Sequence, residues 1–385
     1  MTAFGAASSH FYSLLHGLRA GAAATRQEYY FRRSLLPPPQ PSSWPIELPV
    51  EGRYIVSSDR GLYAVSRNRL DLLAAVPAFG FARAGERFYV ATWRGRSSFV
   101  LSGSAEALLA GRDCGWQEIY SVDTQSDAGR IHQIAAHGDA LWLANTALNT
   151  LTKINRHNGS WMANIAPFLC AHGHPIIVDH NHVNSLFPQE RYLLFTAFRI
   201  NRRAAFGLVG DGRAQVFAYR NMGVHDCIIT GGSLIFSDSY RFWDGGGGCV
   251  VIDGSLIDPS YFDETAAHFV RGIAGEGDEM LIGNSYAGDR QTRFLGNGSL
   301  MLARGGKVTH AVAVPFAQVY DILREDGTHF DRAAGPASFG EASALLAGIF
   351  GPAVEEFALK DLLVGRSGKK FAPEDIGEIG EYLGR

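Results

Sequence analysis

Between residues 47 and 330, apolar and polar positions alternate in short runs, and almost no stretch carries a helical period. Residues 130–166 show the unit. RIHQIA, ALWLAN, TLTKIN and SWMANIA are short alternating or apolar runs, broken by His-Gly-Asp, Thr-Ala-Leu-Asn and His-Asn-Gly. Period-two alternation marks strands, and Gly and Asn supply the positive-φ positions of tight turns. The stretch therefore predicts a four-stranded antiparallel meander.

The same grammar recurs at 78–122, 182–219, 225–252 and 269–314. Apolar anchors Phe81, Ile134, Leu186, Ile228, Ile273 and Ile322 follow one another at intervals of 53, 52, 42, 45 and 49. Four-stranded units at roughly 40–50 residues are the signature of propeller blades. The ends complete the count. RYIVS, GLYAV and RLDLLAA (53–75) lack an inner strand before them, and QVYDIL (318–323) is an inner strand with no blade after it. Pairing 318–323 beside 53–57 predicts an all-β fold, a six-bladed β-propeller closed by both ends of the ring. A pair of β-sandwiches is the alternative.

Two segments flank this zone. Residues 1–46 form an N-terminal extension, with Phe11, Leu14, Leu15 and Leu18 at helical spacing before a proline-rich linker. Residues 331–385 read as a helical segment. Within it, 340–362 predicts an amphipathic helix packed on the barrel side or on a partner subunit, and so a homo-oligomer through the C-terminal helices. The three domains are then 1–46, 47–330 and 331–385.

Composition narrows the class. A 46% hydrophobic chain of 385 residues has enough apolar material for a sizeable core. A net charge of −3 gives no basic footprint for nucleic acid. No run approaches the roughly 20 apolar residues of a membrane helix. The first residues lack a basic, then apolar leader, so a cytoplasmic location is expected. Cys114, Cys170, Cys227 and Cys249 are scattered and form no CxxC pair, which excludes a zinc ribbon or thioredoxin motif.

Candidate chemistry lies two places before each anchor. There the inner strands carry His132, Asn184, Asp226, Arg271 and Tyr320, with Phe79 in the first complete unit. In a propeller these positions line the central channel. His182 and His180 share the face of Asn184, and a slip of one residue puts His225 in the column in place of Asp226. Three readings stay open. The channel is simply wet; or His132, His182 and His225 hold a divalent metal ion, since imidazole suits first-row metals; or His132 or His225, with Asp226, serves as a metal-free acid or base. Asn184, Arg271 and Tyr320 are the expected substrate-binding groups. Arg241 and Arg290 join them from the long loops 237–248 and 284–298, where the arginines either clamp an anion or pair with Asp238, Asp244 and Asp289. An HxH pair, His172 and His174, reads as surface.

RIHQIAAHGDALWLANT, HVNSL, HDCIITGGSLIFSDS and FVRGIAGEGDEMLIGNS resemble the repeats of an uncharacterised bacterial β-propeller family, over roughly residues 80–325. The resemblance implies a propeller with a shared polar channel and supplies no chemistry. More distantly the chain is similar to six-bladed propellers of the gluconolactonase and strictosidine-synthase type. Their channel glutamate is missing here, so their calcium-dependent lactonase mechanism does not carry over. The function expected is a channel-site enzyme on a polar or anionic small molecule, metal-assisted, performing hydrolysis, elimination or rearrangement. The alternative is a non-catalytic scaffold or ligand-binding protein.

Overall fold

The alternating runs pair as their periodicity predicts. The computed structural model describes residues 43–94, 97–123, 130–169, 173, 182–199, 203–221, 223–239, 248–257, 268–286, 296–330 and 335–365. Their strands form six antiparallel sheets, the blades of a propeller. Blade 1 orders Val319–Arg324, Tyr54–Ser58, Leu62–Ser66 and Arg69–Ala74 from the channel outward; blade 2 has Gly80–Ala84, Arg87–Arg94, Ser97–Ser104 and Gln117–Asp123. Blade 3 has Ile131–His137, Ala140–Asn145, Thr150–Asn155 and Trp161–Ile165. Blade 4 has Val183–Pro188, Tyr192–Arg199, Arg203–Gly210 and Arg213–Ala218. Blade 5 has Val224–Thr230, Ser233–Asp238, Cys249–Ile252 and Ser255–Ile257. Blade 6 has His268–Glu276, Glu279–Tyr286, Ser299–Arg304 and Lys307–Ala313.

Blade 1 closes the ring. Ile322 lies opposite Val56 and Leu323 opposite Ile55, so the late inner strand completes the early meander. The seam to blade 6 is latched by the buried carboxylate of Glu279. It accepts from the Glu51 amide at 3.1 Å, the Tyr54 hydroxyl at 3.1 Å and Arg304 at 2.9 Å.

Each blade is sandwiched by two others and so is apolar on both faces. This is why CVVI and its like read as continuous apolar runs rather than strict alternations. Six apolar clusters fill the six wedges. Phe195 with Phe168 joins blades 3 and 4, and Phe206 with Phe236 joins blades 4 and 5. Fully burying one such ring stabilises by about 1.5–3 kcal/mol, so the ring rests on its wedges and the channel is free to be polar.

The flanks differ from their sequence reading in detail. Ser43–Pro45, inside the proline-rich stretch, adds a fifth strand to blade 1, with Trp44 opposite Leu70. The helical period holds over Phe339–Phe350. Ser338 Oγ accepts the Glu341 amide at 3.2 Å, and Glu341 accepts the Ala337 amide at 2.8 Å, a reciprocal N-terminal cap. Phe339, Ala342 and Leu346 pack against blades 4 and 5. The helix stops at Gly351, whose φ of 83° suits glycine, and Pro352 prevents its resumption. Beyond it, Glu355–Ala358 alternates as a strand and pairs with the outer edge of blade 4, Phe357 opposite Ala214. Leu363–Val364 then pairs with blade 3. The apolar face expected to meet a wall or a partner thus lies on the chain's own blades. No helix among the described residues is long and apolar enough to cross a membrane.

Candidate functional site

In five blades the ladder between the inner strand and its neighbour slips by one residue. The slips fall between Ile131 and Ile134, at Asn184, at Asp226, between Val270 and Ile273, and at Tyr320. Blade 2 has no slip. A β-bulge of this kind re-aims side chains, so two successive residues of each bulged strand reach the channel.

Hydrogen bonds between blades fix the true alignment. The carbonyls of Val183, Val224, Val270 and Val319 each accept a bond from the preceding blade. The donors are Thr146 Oγ1 at 2.7 Å, Asn184 Nδ2 at 3.0 Å, Ser239 Oγ, and Ser285 Oγ at 2.9 Å. These valines are therefore equivalent, and the next residues, Asn184, His225, Arg271 and Tyr320, form one ring. His132 belongs to it, because Thr146 meets Arg130 as Ser239 meets Gly223. The column residue of blade 5 is thus His225 and not Asp226, and its anchor is Cys227 and not Ile228. The bulge at Asp226 causes the one-residue difference. Asp226 joins a second ring with Gln133, Ser185, Gly272 and Asp321.

Residues of the two rings meet in a narrow cleft with no room for a water molecule, walled by His132, Gln133, Asn184, Ser185, His225, Asp226, Arg271 and Tyr320. His132 is 8% exposed. Its Nδ1 lies 2.7 Å from Thr146 Oγ1 and 3.2 Å from the Arg130 carbonyl. The carbonyl only accepts, and the Thr146 proton is already given to Val183. Nδ1 therefore carries the proton, and Nε2 is left as the acceptor. Burial, then the nearby His182 and Arg271, hold this imidazole well below its usual range, so it is neutral. His225 uses the same device: its Nδ1 lies 2.8 Å from Ser239 Oγ, whose proton goes to Val270.

Asp226 is 2% exposed, and its Oδ2 accepts from Ser237 Oγ at 2.6 Å and from the Gly272 amide at 2.8 Å. It ties blade 5 to blade 6. Burial pushes its carboxyl up to about 6, and the charge of Asp321 adds to this. Asn184 gives its Nδ2 to the Val224 carbonyl, which fixes the amide's orientation; its Oδ1 is buried with no hydrogen-bond partner. The Arg271 guanidinium lies 5.0 Å from the centre of the Tyr320 ring. Phe79 closes the blade 2 side, its ring centre 5.2 Å from His132 and 4.6 Å from Tyr320. Arg241 and Arg290, and likewise His172, His174 and His180, lie outside the described residues.

His132 and His182 meet edge to face, with ring centres 4.5 Å apart. His132 and His225 each spend Nδ1 on a hydroxyl. Among the described residues no three His, Cys, Asp or Glu side chains are grouped to hold a metal ion. No step below is routed through a metal.

The sequence reading found the first ring and missed the hydroxyls beneath it. A signal was present: Thr146 follows His132 by 14 residues, and Ser239 follows His225 by 14. Gln133 was also missed. It accepts the Leu186 amide at 2.6 Å and donates to Asp321 at 3.5 Å, which links blade 3 to blades 4 and 1.

No family model and no curated protein matches the chain. Solved structures resemble it at low identity. A structure from a nidogen/laminin complex is 10% identical, covering 70% of this chain and 97% of its own, at a TM-score of 0.49. A candidate 6-phosphogluconolactonase from Bacteroides uniformis is 14% identical, covering 71% and 98%, at 0.44. The periplasmic gluconolactonase of Pseudomonas aeruginosa is 13% identical, covering 70% and 98%, at 0.41. These neighbours include the gluconolactonase-like propellers that the sequence distantly resembles. At such identities no activity carries over, and the fold rests on the six sheets themselves.

Proposed function

We propose that the channel slot is the active site of an enzyme acting on a polar or anionic small molecule. His132 Nε2 is the proton acceptor, and Arg271 holds the anionic group. One observation carries the reading: a buried, neutral imidazole with its tautomer fixed by Thr146, lining the same cleft as a cation. A base must be unprotonated to act, and burial keeps it so at neutral pH. Once His132 takes a proton, the same burial and the Arg271 charge drive it back to the substrate. That cycle suits hydrolysis, elimination or rearrangement that begins with proton transfer. His225 presents a second imidazole in the same tautomer; Asp226 acts as a positioning group, since its carboxylate is held between two blades.

The test is a turnover screen of small carboxylates, lactones and phosphate esters, followed by NMR, with His132→Gln and Arg271→Met beside the parent. The expected result is turnover of at least one compound, abolished in His132→Gln and weakened through KM in Arg271→Met. Binding without turnover favours the ligand-binding alternative. Neither binding nor turnover sinks both.

A further inference from the structure

The slot's hydrogen-bonding inventory narrows the substrate class within that reading. Two atoms in the wall are fixed as acceptors. His132 Nε2 is one, because Nδ1 carries the proton. Asn184 Oδ1 is the other, because only the amide nitrogen can donate to the Val224 carbonyl. Asn184 is 4% exposed and its Oδ1 meets no donor. A buried acceptor without a donor is costly, and native structures rarely keep one without a purpose. Blade 4 shows how this one arises. Its hydroxyl position is held by Phe198, so Asn184, a residue of the slot wall, itself makes the bond to the next blade and leaves its oxygen without a donor.

The site therefore offers acceptors deep in the wall and a guanidinium beside them. As the side chains stand, the slot has no room for a water that could satisfy Asn184. Arg271 is the longest side chain in the wall. Room for a donor beside Asn184 and His132 requires this guanidinium to move from its place over Tyr320, and an anion that engages it would supply the pull. The planar guanidinium fork matches a carboxylate in two parallel bonds. A donor one or two bonds from that carboxylate reaches the acceptors.

Resting on the reading above, we infer that the slot recognises a hydroxyl next to a carboxylate, so the substrate class is a small 2-hydroxy acid. The hydroxyl donates to Asn184 Oδ1 or His132 Nε2, and the carboxylate takes Arg271. Recognition is joint, because the carboxylate opens the space that the hydroxyl enters.

The experiment is titration of the full chain with lactate, in each enantiomer, and with propionate, followed by calorimetry and by the imidazole NMR signal of His132. These probes share a carboxylate and differ by one hydroxyl. One lactate enantiomer is expected to bind at least tenfold tighter than propionate and to shift the His132 signal. Asn184→Leu is expected to bring that ratio near one while propionate still binds. Should this variant fail to fold, the parent's lactate-to-propionate ratio decides alone. Equal affinity for lactate and propionate overturns the hydroxyl inference and leaves the anion site standing. No binding of either, with an unmoved His132 signal, overturns the 2-hydroxy-acid inference, and the active-site reading then stands or falls by the turnover screen.

Discussion

Blades 5 and 2 solve the same packing problem in opposite ways. The inner strand of blade 5 slips at Asp226, which takes a left-handed φ of 49°. It thereby brings His225 and Asp226 to the channel together. The inner strand of blade 2 runs without a slip and brings Phe79 and Gly80. Phe79 packs against Trp93 at a tilt, 4.4 Å between ring centres, and Arg130 covers the Trp93 ring at 4.5 Å. At Gly80 a Cβ would lie 2.7 Å from the Gln133 Cα, so the neighbouring inner strand presses directly on this backbone. In this ring the slipped strands are those that bring polar side chains to the channel, and the regular one brings an aromatic ring and a glycine. The difference makes the site one-sided: polar groups come from blades 3, 4, 5, 6 and 1, and blade 2 supplies the stopper.

If the slips build the site, damage at a bulge must exceed damage on an ordinary strand. Gly272 sits in the blade 6 bulge at a φ of 80°, and a Cβ there would meet Ile322 at 2.9 Å and the Asp321 carbonyl carbon at 3.1 Å. Gly272→Ala adds left-handed strain of about 1–2 kcal/mol to overpacking of about 1–3 kcal/mol. A loss of about 3 kcal/mol is expected by urea denaturation. Gly85→Ala in a blade 2 turn has a similar φ of 59° and open space, and should cost only the strain. Equal losses at the two glycines break the comparison.

Asp226→Asn tests whether the second ring is maintained against stability. The folded carboxyl, at about 6, lies above its unfolded value of 3.8. Protonation thus favours the folded state. The advantage is complete below about pH 4 and is lost as pH rises through about 6. Asparagine keeps an acceptor for Ser237 and Gly272 and removes the charge. The variant should gain about 2–3 kcal/mol at pH 8, and the gain should vanish near pH 4. A gain that does not change with pH means the buried charge is not its source.

These residues also show where the sequence was legible. Blade number and ring closure followed from turn residues and period-two runs, because both are local properties. The first ring was visible as a column of His132, Asn184, Arg271 and Tyr320. The bulges were not: a one-residue slip leaves no mark in composition, and it displaced blade 5 by one position. Convergence of His132, His182 and His225 on a metal was read from strand positions alone. Ring orientation depends on Thr146 and Ser239, which come from different strands. The tail's strands were hidden because Glu355–Ala358 follows a helix with the same apolar content, separated from it only by Gly351 and the residues after it.

The smallest expected effect bears most directly on the chemistry. Thr146→Val keeps the shape of a side chain that both accepts from His132 and donates to Val183. Losing a hydrogen bond of this kind costs about 1 kcal/mol, so the fold should survive. The imidazole, however, keeps only the Arg130 carbonyl at 3.2 Å as a guide for its proton. Part of the population should move the proton to Nε2, where it blocks the acceptor edge. Nitrogen NMR of His132 reads the two tautomers separately, and Thr146→Ser should restore the parent pattern because its hydroxyl sits in the same place. Blade 2 has no such hydroxyl facing a histidine, so no substitution there should move the tautomer this way. A valine variant in which His132 keeps its proton wholly on Nδ1 would show that the backbone carbonyl is sufficient. The hydroxyl of each blade would then serve only to tie it to the next.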